Sequence, residues 1–422
     1  MIRSITLLGS SSGRNAGDAA LVSAIMDSLD KVLGEKLLYE IPTIKPDFVK
    51  REYAHNVRAL SILPWNLSVK MLGLPTYRSV LRTDLSLIFD AVLFDRALYN
   101  PLFNFLSSFY LMLPAAKKRG KRLGCYNCGL GPVTTKTGRK MLRELLENMD
   151  FITVRDEGSF RLLEELGVEN PNRLLTADAA LNAPSSPDDR VQQIIRSAGL
   201  NPGDEILGIN INSYIDTWAG TGRQSIGKEK FLAIYSESLN RVAEKLQVPL
   251  LLIATQHNDI SITRELLSRV RSKAPVAMLD NRSLTHVDVK GVMRSLALLF
   301  AMRLHAAILA SSELTPIAGL AYQPKVAFYF EMLGLKSQCH SFNDFNVQYL
   351  TDAILQGWEE RKKIGQTLAA EIPLLQHKAY NGALLVAALH RGEDIGRTIA
   401  GLQDKSARSA EPVSQRSVSG LG

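Results

Sequence analysis

Apolar positions along the 422-residue chain fall into two alternating patterns. Short runs dominated by Ile, Val and Leu, at 4–8, 36–41, 86–94, 122–127, 151–154 and 173–177, read as strands. Stretches with helical spacing, at 18–33 and 158–166, lie between them. After Asn201 to Asp204 the alternation restarts, with strand-like runs at 206–211, 249–255, 276–279, 297–300 and 315–321. Helical stretches at 228–246, 261–272, 286–294, 304–312 and from 325 onward separate these runs. Runs that are apolar throughout suit strands buried on both faces, as in parallel sheets with crossover helices. The pattern predicts an α/β chain of two doubly wound, Rossmann-like domains facing a cleft. The domains are expected at 1–183 and 203–345, joined by a linker at 184–202 that contains Pro184, Ser185, Ser186 and Pro187. Terminal helices should fill 346–402, and the Ser-, Arg- and Gly-rich tail 403–422 should be disordered.

Composition sharpens this picture. With 46% apolar and 22% charged residues the chain can bury a sizeable core and is no disordered polyelectrolyte. Its net charge of +8 is local, because nine basic and no acidic residues lie between Ala97 and Arg143. The remainder is close to neutral, and no nucleic-acid reading motif accompanies the basic cluster, so nucleic acid is not an expected partner. Three cysteines exclude a disulfide scaffold, and Cys125 and Cys128 lack the second ligand pair of a zinc site. Ile5 to Leu8 gives way at once to a loop rather than a signal peptide, so a cytoplasmic location is expected.

Residues 97–116 form an uncharged stretch of spanning length, but Asn100, Pro101, Asn104, Ser107, Ser108 and Pro114 make insertion costly. Two readings stay open for it. One is a buried helix. The other is peripheral membrane contact through 97–122, with Leu102, Phe103, Phe105, Leu106, Phe109, Tyr110 and Leu113 followed by the basic run at 117–122.

Candidate chemistry gathers at strand ends, where open α/β sheets bind ligands. The loop from Gly9 through Asn15 and Gly17 to Asp18 joins a strand to a helix and suits an anion cradle or a capped structural turn. Arg155 follows an apolar strand and could clamp an oxyanion, or pair with Asp156 or Glu157 at the helix start. Arg303 and His305 follow another buried strand, placing fixed positive charge beside a proton carrier. Tyr322 and Lys325 end the next strand. Metal and acyl-enzyme motifs are missing, so no metal and no cofactor are expected. A cationic cleft of this kind suits a small, highly anionic donor.

At these residues the chain resembles the polysaccharide pyruvyl transferase family, from the first strand to about Gly334. The resemblance rests on Asn15 to Leu21, Gly129 to Pro132, Val154 to Asp156 with Ser159, Ala177 to Leu181, and Arg303-Leu304-His305 followed by Tyr322 and Lys325. It implies a GT-B-like fold and transfer of a pyruvyl group from phosphoenolpyruvate, as co-substrate, to a glycan or lipid-linked sugar acceptor as a ketal. It further implies His305 as acid/base, with Arg155, Arg303, Lys325 and Tyr322 around the donor. Asp18 or Asp178 would serve the acceptor, with Gly9, Asn15 and Gly17 in the adjoining loop. Phe89 to Arg96 departs from a glycine-rich stretch common in the family, which puts acceptor recognition in doubt. A GT-B glycosyltransferase using a nucleotide sugar, and a non-catalytic scaffold in polysaccharide assembly, are the competing readings.

Overall fold

The computed structural model describes residues 1–62, 73–96, 98, 104–213, 226–342 and 345–410. Part of the uncharged stretch (97 and 99–103) and the tail 411–422 lie outside them. The first domain is a seven-stranded sheet made of β1 (Ser4–Leu8), β2 (Leu38–Thr43), β3 (Val57–Ser61), β4 (Leu85–Ile88), β5 (Arg122–Cys128), β6 (Phe151–Val154) and β7 (Arg173–Leu175). Every pairing is parallel, in the order β3-β2-β1-β4-β5-β6-β7. The crossovers carry α1 (Ala16–Leu33), α2 (Pro46–Glu52), α3 (Gly73–Arg82), α4 (Phe105–Lys117), α5 (Lys136–Glu147) and α6 (Glu157–Glu165). After α7 (Asp188–Ser197), the second sheet is built from β8 (Ile206–Asn210), β9 (Leu250–Ala254), β10 (Val276–Asp280), β11 (Leu296–Ala301), β12 (Ile317–Ala321) and β13 (Cys339–Ser341). It too is parallel, in the order β10-β9-β8-β11-β12-β13. Its helices are α8 (Lys228–Leu246), α9 (Ile260–Arg269), α10 (His286–Arg294), α11 (Leu304–Ser312) and α12 (Pro324–Met332). The fold is therefore two doubly wound α/β domains, as the apolar pattern predicts. Within each, strand order reverses beside the first strand, where β1 and β4, or β8 and β11, leave a crevice at their carboxyl ends.

Three details differ from the expectation. The strand expected at 86–94 ends at Ile88, because Asp90 turns to a left-handed φ of 65° that no strand accommodates. The segment expected as a linker contains α7, whose Val191, Ile194 and Ile195 are buried. Ser186 and Arg190 fasten that segment to Asp288 of α10 at 2.7 and 3.2 Å. At the C-terminus, α14 (Ile395–Ala410) runs past residue 403, where disorder was expected to begin.

A 45-residue helix, α13 (Val347–Arg391), about 68 Å long at the usual rise, ties the two halves together. Its Gly357 passes against Ala318 of the second sheet, and its Gly382 against Tyr126 and Asn127 of the first. The Asn127 side-chain amide donates to the Ala379 carbonyl at 2.8 Å. One apolar cluster runs through both domains, from Ile5, Leu7 and Leu21 to Ile206, Leu251 and Leu299, by way of Ala307, Leu368 and Ala383. Among the described residues no helix is long and apolar enough to cross a membrane. Cys125 and Cys128 are buried in β5, and burial, then Cys125, pushes the Cys128 thiol up, which suits unreactive structural thiols.

Candidate functional site

Parallel strands deliver helix N-termini to one edge of each sheet. Here α1 and α6 of the first domain meet α11 and α12 of the second across a cleft of about 310 Å³. Unpaired amides at such termini favour negative charge. The first loop is shared between the domains: Asn15 bridges Gln256, the Ala16 amide donates to the Thr255 carbonyl (2.9 Å), and the His257 amide to the Arg14 carbonyl (2.8 Å). Asn15 caps α1 by accepting from the Gly17 amide at 2.9 Å, so the capped-turn reading holds for its side-chain oxygen. Its side-chain nitrogen donates to Asp18 at 2.6 Å, and the Ser10 hydroxyl donates to the other Asp18 oxygen at 2.5 Å.

Gly17 is required by its neighbour. A Cβ there would overlap the Cβ and ring of His305, so only glycine lets α1 approach the imidazole. Gly9 has a packing role instead, since a Cβ would stand 2.7 Å from the Phe89 ring. Gly17→Ala is expected to push the histidine from its place and cut turnover by about a hundredfold, the usual cost of misplacing a reacting group by an ångström. Steady-state kinetics beside a thermal melt would check this, and unchanged turnover would contradict it.

His305 lies on the first turn of α11, between two carboxylates. Its Nδ1 is 3.9 Å from Asp18 and its Nε2 3.7 Å from Asp178. Nε2 is buried and has no hydrogen-bond partner among the described residues. Asp178 starts the turn Ala179–Asn182, accepts from the Ala180 amide at 2.9 Å, and receives Arg155 Nη1 at 2.7 Å. Arg155 is therefore paired chiefly with Asp178, and more loosely with Asp156 at its own helix start. Asp156 instead caps α6 through the Ser159 amide (2.7 Å) and stands 3.9 Å from Arg155. Gly129 makes room for the guanidinium.

Arg303 precedes α11, and its Nε and Nη2 both donate to Asp259, the Nη2 bond at 2.7 Å. Asp259 is fully buried and also accepts from the amide and hydroxyl of Ser213 (2.9 and 2.8 Å). The cleft is thus less cationic than the sequence suggests, because each arginine has a carboxylate behind it. Lys325, on the first turn of α12, makes no hydrogen bond or ion pair among the described residues. Tyr322 lines the cleft beside it.

The electrostatics follow from this arrangement. Enclosure, then the charge of Arg155, brings the Lys325 ammonium down to about 8, with Asp90 opposing. Burial, then the charge of Asp90, raises Asp18 to about 7, against the pull of His305 and Ser10. Burial also pushes on Asp178, but Arg155 and His305 overcome it and hold that carboxylate at about 2. The cleft therefore contains an acid/base near neutrality, a permanently ionised carboxylate and a cation with no ion-pair partner among the described residues.

Sequence reasoning brought His305, Arg303, Arg155, Asp18, Asn15, Tyr322 and Lys325 to one cleft, with Gly17 and Asp178 in contact with that group. It missed Asp90 and Asp259. Asp90 lines the cleft, 4.0 Å from Arg155, with its side chain accepting from the Ala91 amide at 2.6 Å. The signal available for it was the strand-end rule, which singles out the residue after a buried run. Among the described residues no group of three or more His, Cys, Asp and Glu is placed to hold a metal ion.

Comparison with known proteins places this geometry in context. The family model for polysaccharide pyruvyl transferase matches residues 15–324. No curated protein sequence matches the chain. Similar solved structures include S. aureus MnaA with UDP, at a TM-score of 0.61 and 13% identity over 92% of this chain and 95% of that one. A UDP-GlcNAc 2-epimerase from Neisseria meningitidis bound to UDP-GlcNAc gives 0.59 and 12%, over 96% and 99%. HepE from Anabaena, with UDP and glucose, gives 0.55 and 12%, over 96% and 100%. At such identity the likeness is one of fold, the GT-B-type pair of Rossmann-like domains.

Proposed function

Since the chain belongs to the polysaccharide pyruvyl transferase family, we propose that its cleft transfers the pyruvyl group of phosphoenolpyruvate to a sugar of a cell-surface glycan, or its lipid-linked precursor, as a ketal. The enzyme would work at the inner face of the cytoplasmic membrane. The observation that carries the reading is His305 held between Asp18 and Asp178, beside the unpaired Lys325. An ester with three negative charges fits Lys325, the remaining N–H groups of Arg155, and the N-termini of α11 and α12.

His305 then gives a proton to the methylene carbon, making a methyl group and a cationic carbon between the carboxylate and the phosphate ester oxygen. A sugar hydroxyl adds to that carbon and loses its proton to Asp18, whose affinity for protons near pH 7 suits the task. Phosphate leaves with the bonding pair of its C–O bond, a second hydroxyl closes the ketal, and the second hydroxyl proton ends on phosphate. Asp178, ionised at any working pH, steadies the charged imidazole.

The test is a phosphate-release assay with phosphoenolpyruvate and a panel of glycan acceptors. Release that requires both substrates is the expected result. A thermal shift with a nucleotide sugar and none with phosphoenolpyruvate would overturn the reading. The pH dependence adds a second check. Lys325 binds the donor as an ammonium, so donor affinity is full below about pH 8 and falls as pH rises past it, up to about tenfold per unit. Lys325→Met should weaken binding at neutral pH and flatten that decline; an unchanged profile in the variant would remove Lys325 from the donor site.

A further inference from the structure

The helix α4 is unusual for one at the surface. From Phe105 to Ala116 it carries no charge, and Leu106, Phe109 and Leu113 pack into the core. The opposite stripe, which a surface helix ordinarily fills with polar side chains, holds Ser108, whose hydroxyl turns back to the Asn104 carbonyl at 3.2 Å, and then Leu111, Pro114 and Ala115, of which Leu111 keeps 72% of its surface exposed. Beside it, α3 presents Leu74, 48% exposed. The two apolar spots join where Gly73 meets Met112, whose sulfur would stand 2.7 Å from any Cβ there.

The rim of this face is basic. Arg78, Lys118 and Arg119 are exposed, and Arg119 lies over the Tyr77 ring at 5.7 Å while donating to its hydroxyl at 2.6 Å. The rest of the basic run turns inward: Lys117 pairs with Asp150 at 2.7 Å, Lys121 donates to the Thr83 carbonyl and Arg122 to the Leu389 carbonyl. Nearby carboxylates are engaged as well. Glu144 accepts from the Tyr110 hydroxyl at 2.6 Å, and Asp84 accepts from the amides of Arg3 and Ser4, both at 2.9 Å. Lys140 stands 3.8 Å from Glu144 and Lys121 faces Asp84, which offsets both charges; Glu147, exposed in the groove with Pro114 and Lys118, stands against the three exposed cations, so the balance on this face is positive.

We propose that the α3–α4 face docks on an anionic lipid bilayer, with Leu74 and Leu111 at the acyl boundary and Arg78, Lys118 and Arg119 among headgroup phosphates. An apolar centre with a cationic rim complements such a surface. A second copy of the chain fits it poorly, because a two-fold contact sets the same cations against each other. The N-terminal end of α4 reaches the cleft, where Asn104 donates to the carbonyl of the cleft-lining Phe94, while Lys118 and Arg119 lie at the other end of the helix, about 20 Å away.

Co-sedimentation of the full chain with vesicles tests this without reference to catalysis. Vesicles of phosphatidylcholine with phosphatidylglycerol should pellet the protein at low salt, phosphatidylcholine alone should not, and added salt should weaken the binding. The double variant Arg78→Glu, Lys118→Glu should lose about tenfold or more in affinity, and Leu111→Asp a similar amount, with unfolding temperature unchanged in both. Undiminished pelleting of the charge-reversed variant, or no pelleting with anionic vesicles, would overturn the proposal. A dimer that Leu111→Asp dissociates, without lipid binding, would assign the face to a second copy instead.

Discussion

His305→Ala is expected to lower kcat for ketal formation by about a thousandfold or more and to leave the fold standing. A positioned proton donor contributes roughly that factor, and here the proton goes to a carbon, which water protonates poorly. The same side chain does little for stability. It stands 3.7 Å or more from either carboxylate and its Nε2 has no hydrogen-bond partner among the described residues, so its loss orphans none of them. Asp178 keeps Arg155, and Asp18 keeps Ser10 and Asn15. Phosphate release and a thermal melt on the same preparation decide the matter. Wild-type rates would remove His305 from the chemistry, while a collapsed melting temperature would mean that it holds the seam together.

Arg303→Ala should behave in the opposite way, losing activity and stability together. Both donor atoms that Arg303 directs at Asp259 would vanish, leaving a fully buried carboxylate with Ser213 as its remaining side-chain partner among the described residues. Breaking such a pair from one side costs about 3–5 kcal/mol, because the remaining charge stays buried. Removing both partners separates the two roles. Arg303→Met with Asp259→Leu should recover much of the stability, as buried pairs replaced by apolar groups often do, without recovering turnover. Denaturant unfolding of the two single variants and the double variant closes the cycle. Additive losses would show that the pair does not act as a unit.

The architecture was legible because parallel strands buried on both faces have few ways to look other than apolar. What escaped were edges. β3 is half exposed, with Arg58 and Ser61 facing out, and β13 is three residues long, so neither forms an apolar run. α7 escaped because prolines before it suggested a linker, although Pro187 stands where a helix begins. The sequence pointed to the basic residues of the site and to Asp18 and Asp178, and passed over Asp90 and Asp259. Arginines stand out after an apolar strand, whereas Asp259 is separated from Arg303 by 44 residues and the pair exists only in three dimensions. The basic run at 117–122 was visible as composition, but three of its five cations reach inward to Asp150 or to backbone carbonyls.

The apolar cluster that crosses from one sheet to the other bears on selectivity. Many two-domain enzymes recognise the right substrate by closing over it, so that part of the binding energy assembles the catalytic groups. With α13 strapped across both sheets and the first loop bonded to the second domain, closure of that kind would have to break contacts already made between the domains. On the proposed function, discrimination between sugars is expected to reside in the outline of the pocket, at side chains such as the cleft-lining Asp90. Acceptor range should be retuned by substitution around the rim, and loosening the seam would not widen it.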